Sequence, residues 1–516
     1  LSGEELASPP PSSRDNRDAH GQSGRGDVSF VYDPTDDARF ERYARMISDG
    51  GATVVSFPLH SAAAAFWDFL GRSGALPLGV ERQALLYPRS GAKAEWRAWL
   101  RLASEDGIRV VVGAQSSAMA PLRNVSRIIV EDESNNIWRT MRPPIYNVRS
   151  LLAKRALLEG ASLVLGGRMP SSRAYMRMES EDFRGVRADA ARRNVILVDM
   201  KLAYSPSVKG VCDALAVSEP LVRETDSALG RGSWAIWILD RKGYAGEIIC
   251  SECGISIRCG ICGGTMRWEA SAGRTSCVAC GARGTVPEVC PGCSGMLLSA
   301  KRPGLEALIS LARSAMTVPV PVISLEDEDI GRSPALDSHS GLAIGTRGAL
   351  SLCDSMNVGM IGWIDADGEA RSQEYDARTR AYGLVWESLW RGRSPENRTV
   401  LLQTRRPGAE WQRGLGDSRP DWRRFWREEM RERREFTMPP FASLVKIEAS
   451  LQDVRTMAGL FESGGFEFWM PDEAGAKRPS IWLRTRRISD LRRTIEPFFH
   501  ISRAKRGYPS VTVWHE

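Results

Sequence analysis

From Val28 onward, short apolar runs alternate with longer amphipathic stretches, a spacing that predicts strands and helices in turn. Thr53–Phe57, Ile108–Val112, Arg127–Val130, Ser162–Leu165 and Val195–Asp199 are β-branched and lack polar alternation, as parallel strands buried on both faces do. A second series, Trp234–Leu239, Val320–Leu325, Leu342–Thr346, Met360–Asp365 and Val400–Thr404, predicts a second sheet. Leu444–Ala449, Ile481–Thr485 and Val511–Trp514 are spaced like a small sheet with helices. Between Trp422 and Arg434 the apolar residues Trp422, Phe425, Trp426 and Met430 share one face of a helix, and alternating charges make the other face solvated. Residues 1–27 are rich in Ser, Pro, Asp, Arg and Gly and carry too little apolar surface to fold alone. The expected α/β architecture is a disordered segment at 1–27, one lobe at 28–205, a second at 206–249 and 294–435, an inserted module at 250–293, and a small α+β domain at 436–516.

Cysteine spacing changes the picture most. Eight of the ten cysteines form four knuckles: Cys250/Cys253, Cys259/Cys262, Cys277/Cys280 and Cys290/Cys293. Eight thiols make two complete four-cysteine zinc sites with no open position, and closed sites of this kind are structural. Gly254, Gly263 and Gly281 follow three of the knuckles, where the chain must turn tightly. The 14 residues between Cys262 and Cys277 suit a ribbon hairpin, with Cys259, Cys262, Cys277 and Cys280 as the inner site. Cys250, Cys253, Cys290 and Cys293 then close an outer site around it. Sequential pairing is the rival, with a cramped five-residue spacer after Cys253. A disulfide framework is the other reading, disfavoured in a chain without a signal peptide.

Composition adds little. The 516 residues allow three or four domains, and 42% hydrophobic with 26% charged residues is ordinary for a globular chain. No run approaches the ~20 apolar residues of a membrane span, and residues 1–27 contain no hydrophobic leader. A net charge of +7 permits nucleic-acid binding without requiring it. The five histidines form no HExxH motif. Cys212 and Cys353 read as ordinary buried thiols, and Asp365 and Asp367 as loop or cap residues.

The order of these elements resembles the replication-restart helicase family of primosomal protein N′ (PriA). Asp240-Arg-Lys-Gly-Tyr-Ala245 leads into the first knuckle as the family's Asn-Arg-Arg-Gly-Tyr-Ala does, and Cys290-Pro-Gly-Cys293 ends the same cysteine pattern. Gly113-Ala-Gln-Ser-Ser-Ala-Met-Ala-Pro-Leu122, Leu342-Ala-Ile-Gly-Thr346, Ile364-Asp-Ala-Asp-Gly368, Leu402-Gln-Thr404 and Met438-Pro-Pro-Phe441 match further family elements in sequence. The resemblance implies two tandem helicase-like (RecA-like) lobes, a two-zinc module in the second, and a C-terminal domain. Family members also carry a domain that binds a 3′ DNA end and a winged helix ahead of the first lobe. Neither has a counterpart before Val28, which leaves a complete chain and a fragment both open.

The family's fuel chemistry is missing. A P-loop needs G-x4-G-K-[ST], whose glycine amides cradle phosphates while the lysine reaches their oxygens, and no GK[ST] occurs. Its place is taken by Phe30-Val-Tyr-Asp-Pro-Thr-Asp-Asp-Ala-Arg39, in which Asp33, Asp36 and Asp37 repel a triphosphate and Pro34 lacks an amide donor. The Asp-Glu-Glu-His box becomes Glu131-Asp132-Glu133-Ser134, whose carboxylates alone could hold magnesium. Gly-Ser-Ala-Thr-Pro becomes Gly166-Gly-Arg-Met-Pro170. In Trp386-Glu-Ser-Leu-Trp-Arg-Gly-Arg393 only Arg393 of the family's two arginines keeps its place, and Trp390 fills the other slot. Four motifs decayed together predict a lost ATPase.

By resemblance, the loop Asn135–Arg149 aligns with an aromatic-rich segment that touches single-stranded DNA. Trp138 and Tyr146 are then expected to stack on bases, with Arg139, Arg142 and Arg149 on phosphates; packing of the aromatics on the sheet edge is the alternative. Arg241, Lys242 and Tyr244 at the root of the module either contact DNA or anchor the module. The implied function is a zinc-containing DNA-binding protein of the primosome, acting in replication restart at stalled or forked DNA without helicase activity. An active ATP-dependent 3′-5′ helicase using ATP and Mg2+ at a diverged site is the alternative, and a decayed copy or purely protein-binding module a third. Implied partners are forked or single-stranded DNA, primosome proteins and single-stranded DNA-binding protein, and the implied location is the bacterial cytoplasm, at the nucleoid.

Overall fold

The computed structural model describes residues 27–514 apart from 75–82, 89–90, 92, 106, 141–145, 181–192, 201–216, 240–244, 251, 254, 265, 270–273, 278–281, 297, 304, 317–321, 326–338, 372–373, 393–394, 417–418, 471–477 and 500–507. Among these, the first lobe comprises β1 (Val28–Tyr32), α1 (Asp36–Ser48), β2 (Ala52–Ser56), α2 (His60–Ser73), β3 (Ala84–Leu86), α3 (Lys93–Ser104), β4 (Val110–Gly113), β5 (Val125–Val130), α4 (Val148–Glu159) and β6 (Ser162–Gly167). Its six strands are all parallel, in the order β1-β6-β5-β2-β4-β3. One face packs Phe40, Tyr43, Phe66 and Val112, the other Ile128, Val111, Trp138 and Leu152, as expected for strands apolar on both sides.

After α5 (Ser172–Ser180) come β7 (Asn194–Asp199), α6 (Glu219–Gly230) and β8 (Trp234–Ile238). The cysteine module follows with β9 (Ala245–Cys250), β10 (Met266–Glu269), β11 (Arg274–Cys277), β12 (Arg283–Gly284) and β13 (Leu298–Pro303). The second lobe resumes with α7 (Leu305–Ala315), β14 (Val322–Leu325), β15 (Leu342–Gly345), β16 (Val358–Trp363), α8 (Ala377–Trp390) and β17 (Thr399–Thr404). Its parallel sheet runs β14-β15-β8-β16-β17-β7. The module is therefore an insertion between β8 and α7, carried on the antiparallel ribbon of β9 and β13, which pair from Ala245↔Pro303 to Cys250↔Leu298.

The strand expected at Val195–Asp199 does not belong to the first sheet. As β7 it pairs with β17 over six residues, and the Asn194 amide donates to Thr399 Oγ1 at 2.9 Å. The first lobe thus ends before 194 rather than at 205. An apolar run buried on both faces fits the edge of either sheet, and only the pairing decides between them.

The chain ends with α9 (Trp422–Glu435), β18 (Ser443–Glu448), α10 (Leu451–Ser463), β19 (Glu467–Trp469), β20 (Ser480–Thr485), α11 (Ile488–Ile495) and β21 (Ser510–Trp514). The four strands form an antiparallel sheet, β19-β20-β18-β21. Val445, Ile447, Ile481 and Leu483 pack there against Val454, Met457, Phe461 and Leu491 of α10 and α11. Trp422, Phe425, Trp426 and Met430 of α9 are buried, as their shared face predicts. Val28–Met169 and Val186–Trp422 form one compact unit; Pro170–Gly185 and Arg423–Glu516 form another. Most of α9, expected in the second lobe, and α5, expected in the first, lie in this second unit, where Tyr175 stacks on Trp426 at 5.8 Å.

Candidate nucleotide site and cysteine module

β1 leads into a turn in which Asp33 Oδ1 accepts hydrogen bonds from Thr35 N (3.0 Å) and Thr35 Oγ1 (2.9 Å). α1 then starts at Asp36, with Asp36 and Asp37 in its first turn, where the helix dipole favours negative charge. Backbone amides at such a helix start can hold a phosphate. Here carboxylates stand at that helix start, Asp33 taking the Thr35 amide and Asp36 opening the helix. The Asp36 carboxylate accepts from Arg168 at 2.6 and 2.9 Å, from Arg39, and from the backbone N–H of Gly392 at 3.0 Å.

Arg39 is fully buried and reaches across to the acidic box. Its Nε and a terminal nitrogen donate to Glu131 Oε1 at 2.9 and 2.8 Å, and it also donates to the Asp33 carbonyl at 2.5 Å. Tyr43 donates to Glu131 Oε2 at 2.6 Å. Gly166 makes room for that hydroxyl: a Cβ there would lie 1.8 Å from it. Glu133 is equally committed, accepting from Tyr32 at 2.7 Å and from Arg149 at 2.6 Å. Asp132 accepts from Asn135 at 2.9 Å. Two arginines, Arg39 and Arg168, thus face two carboxylates, Asp36 and Glu131, in a balanced buried set.

Electrostatics hold Asp36, Arg39 and Arg168 in their charged forms. Burial opposes the charge on Asp36, but Arg168 and Arg39 outweigh it and keep the carboxyl well below the usual carboxylate range. Burial likewise opposes the charge on Arg39, and Glu131 and Asp36 overcome it, so its guanidinium stays protonated. Burial and Glu131 push the Tyr43 phenol up, keeping its proton on the donor side.

The network also joins the lobes. Gly392 follows α8 of the second lobe, and Trp386 of α8 donates to the Arg168 carbonyl at 2.9 Å. Gly392 has φ +77°, and a Cβ there would lie 1.9 Å from the Cys353 carbonyl oxygen, so a side chain does not fit. Arg391 fixes the approach through a two-pronged pair with Asp354 at 2.8 and 2.7 Å and a third bond to Glu387 at 2.6 Å. Trp390 is buried beneath the Arg193 guanidinium, 3.8 Å from the ring centroid. Arg393 lies outside the described residues. Asp367 accepts from Thr404 Oγ1 and Arg405 N, each at 2.8 Å, and Asp365 pairs with Arg371 at 2.5 Å, the cap and loop roles their spacing suggests.

The aromatic-loop expectation needs correction at Trp138. Its ring is 1% exposed within the first lobe's core, and its Nε1 donates to the Asp132 carbonyl at 2.9 Å, so it cannot stack on a base. Tyr146 is 38% exposed, while Arg149 is engaged with Glu133. Arg142 and Lys242 lie outside the described residues. The sequence pointed to a missing phosphate-binding motif here but not to the ion pairing found in its place. Its signal was reciprocal: carboxylates stand in the loop at 33–37 while Arg168 stands in the alanine slot of the Gly-Ser-Ala-Thr-Pro motif.

In the module, the Sγ atoms of Cys250, Cys253, Cys290 and Cys293 lie within 4.8 Å of one another, as do those of Cys259, Cys262 and Cys277. Cys280 lies outside the described residues. This is the nested grouping, not the sequential one. Sulfurs 3.6 Å apart in Cys250/Cys293 and Cys253/Cys290, and 3.4 Å apart in Cys262/Cys277, are too far for a disulfide. They fit the edges of a tetrahedron with Zn–S bonds of about 2.3 Å. Each knuckle closes alike: Cys250, Cys259, Cys277 and Cys290 donate their N–H to the carbonyls of Ile255, Gly264, Ala282 and Gly295 at 2.7–2.9 Å. Gly263 has φ +72°, and Ser294, at the equivalent place, has φ +60°. The thiols could hold zinc, and the module's own core, around Ile248, Ile257 and Met266, is small.

Two parallel six-stranded sheets with a cysteine module inserted in the second define a two-lobed α/β protein. No family model matches the chain. It is similar to the replication restart protein PriA of Bacillus subtilis (strain 168), 22% identical over 448 residues, covering 85% of this chain and 54% of that protein. It is similar also to PriA of Treponema pallidum (strain Nichols), 25% identical over 349 residues (65% and 51%), and to the probable PriA of Deinococcus radiodurans, 23% over 423 residues (80% and 44%). The chain is thus similar, at 22–25% identity, to several PriA proteins, and it spans about half the length of the curated relatives it matches. Among solved structures, S. cerevisiae Dbp5 bound to RNA and ADP BeF3 is 12% identical with a TM-score of 0.38, covering 75% of this chain and 80% of that one. Among the described residues no helix is long and apolar enough to cross a membrane.

Proposed function

We propose that this chain is a DNA-binding platform for replication restart that works at forked DNA without ATP-driven unwinding. The observation that carries the reading is an acidic, internally paired helix start: Asp36 pairs with Arg39 and Arg168, Arg39 and Tyr43 take both oxygens of Glu131, and no G-x4-G-K-[ST] loop occurs in the sequence. Magnesium needs carboxylate oxygens free to coordinate it, and those of Glu131 and Glu133 all accept hydrogen bonds from protein donors. The relatives' name, replication restart protein, supplies the process, and the fold supplies the two-lobed frame.

In this reading two zinc ions per chain stabilise the module, one held by Cys250, Cys253, Cys290 and Cys293, the other by Cys259, Cys262, Cys277 and Cys280. Their role is structural, since all four positions of each are thiolates. Tyr146, Arg142 and Lys242 remain the proposed DNA contacts, and primosome proteins and single-stranded DNA-binding protein the proposed partners. The direct test is binding of a labelled fork and of a blunt duplex of equal length, each with and without ATP. A preference for the fork that ATP leaves unchanged is expected. Failure to bind the fork, or binding that requires ATP, would overturn the proposal.

A further inference from the structure

The C-terminal sheet buries only one face. Side chains alternate along its strands, so Val445, Ile447, Ile481 and Leu483 face α10 and α11 while Lys446, Trp469, Trp482, Arg484 and Trp514 share the opposite face. Three tryptophans form a ladder there. Trp469 and Trp482 have centroids 6.0 Å apart with planes 17° from parallel; Trp482 and Trp514 are 5.5 Å apart and 5° from parallel. Lys446 Nζ lies 5.6 Å from the Trp482 centroid. Cross-strand aromatic pairs stabilise sheets in their own right. That role would be served as well by rings sealed from solvent, yet Trp469 on edge strand β19 is 41% exposed.

Beside the ladder, the end of β20 opens into a cavity of about 600 Å3 lined by Arg484, Arg486, Arg487 and Arg493, with Glu467 and Asp490 at its wall. The two acids are already used: Glu467 pairs with Arg484, and Asp490 with Arg493 at 3.0 Å. Arg484 also donates to the Phe436 carbonyl, and its Nε is buried without a partner. Among the described residues, neither Arg486 nor Arg487 has an acidic partner, and both are exposed. Trp482 and Arg484 lie on the same face two residues apart, about 7 Å along the strand. An aromatic ladder with an exposed end and a surplus of guanidinium groups one step away combine the two contacts that single-stranded nucleic acid takes, base stacking and phosphate pairing.

We infer that this face binds single-stranded DNA, with a base continuing the ladder on Trp469 and backbone phosphates on Arg486 and Arg487. Duplex bases have no free faces to offer such a ladder. The choice of DNA over RNA rests on the proposed function; the stacking and phosphate contacts do not.

The test is fluorescence anisotropy of a labelled oligo-dT, and of an oligo-rU of equal length, on the full chain over a salt series, with fork binding measured in parallel. Trp469→Ala, at an exposed edge position, should weaken oligo-dT binding by roughly five- to 150-fold while its circular dichroism and melting remain those of the wild type. The Arg486→Ala/Arg487→Ala double variant should lower the salt slope by about 1.4. Oligo-dT affinities within twofold of wild type in both variants would overturn the inference, as would a wild type that ignores oligo-dT or prefers oligo-rU. Loss of this site with intact fork binding would leave the platform reading standing, whereas a wild type that binds no fork would sink that reading by itself.

Discussion

Asp36 carries one carboxylate and receives donors from three places, Arg39 and Arg168 in its own lobe and the Gly392 amide in the other. Its folded-state pKa lies below the unfolded value of about 3.9, so its contribution is complete above that value and is lost as pH falls through the folded one. Melts of Asp36→Asn and wild type should therefore differ by a constant amount from pH 7 to 5, and the gap should close only below about pH 4. A gap that already closes between pH 7 and 5 would show that Asp36 is not ion-paired. Arg39→Ala leaves Glu131, 3% exposed, without its cation. Denaturant melts should show a loss of about 3–5 kcal/mol, partly restored by adding Glu131→Gln. Trp138→Ala should cost about 3–5 kcal/mol as a core truncation without changing the DNA affinity of folded protein; an affinity loss at unchanged stability would contradict its placement. The loss of the phosphate-binding residues was legible in the sequence. That loop carboxylates and Arg168 had become partners was not, because 132 residues separate them and only the fold brings them together.

At the scale of elements, the most legible were those whose spacing is dictated by chemistry. Four knuckles with fixed gaps admit few ways to bring four sulfurs together, and the nested grouping follows from the hairpin between Cys262 and Cys277. The face of α9 was equally plain, since 3.6-residue periodicity shows in any order of domains. β7 was not: its apolar run is compatible with either sheet, and a ladder spanning more than two hundred residues decides. Likewise α5 carries no signal that Tyr175 meets Trp426. Metal analysis of protein never exposed to chelator should find about two zincs per chain. Cys259→Ser should lose metal and expose the module to protease while both lobes keep their protection; joint unfolding of lobes and module would contradict the module's independence.

At the scale of the whole chain, the two lobes share one compact unit, joined through Asp36 to Gly392 and through Trp386 to Arg168. A ligand moves a conformational equilibrium only by its differential affinity for the two states. A motor needs its nucleotide to supply that difference between the lobes, and here an internal carboxylate, Asp36, makes a bridging contact to the Gly392 amide. Under the proposed function the two-lobed frame and module serve as a scaffold, and DNA recognition falls to surface residues such as Tyr146 and to the C-terminal sheet. The measurement that bears most directly on this account is ATP hydrolysis by the purified chain, with and without forked DNA, beside a Glu131→Ala/Asp132→Ala variant. The account predicts no turnover above background in either protein, whether or not DNA is present. DNA-stimulated hydrolysis in the wild type that the double variant abolishes would contradict it.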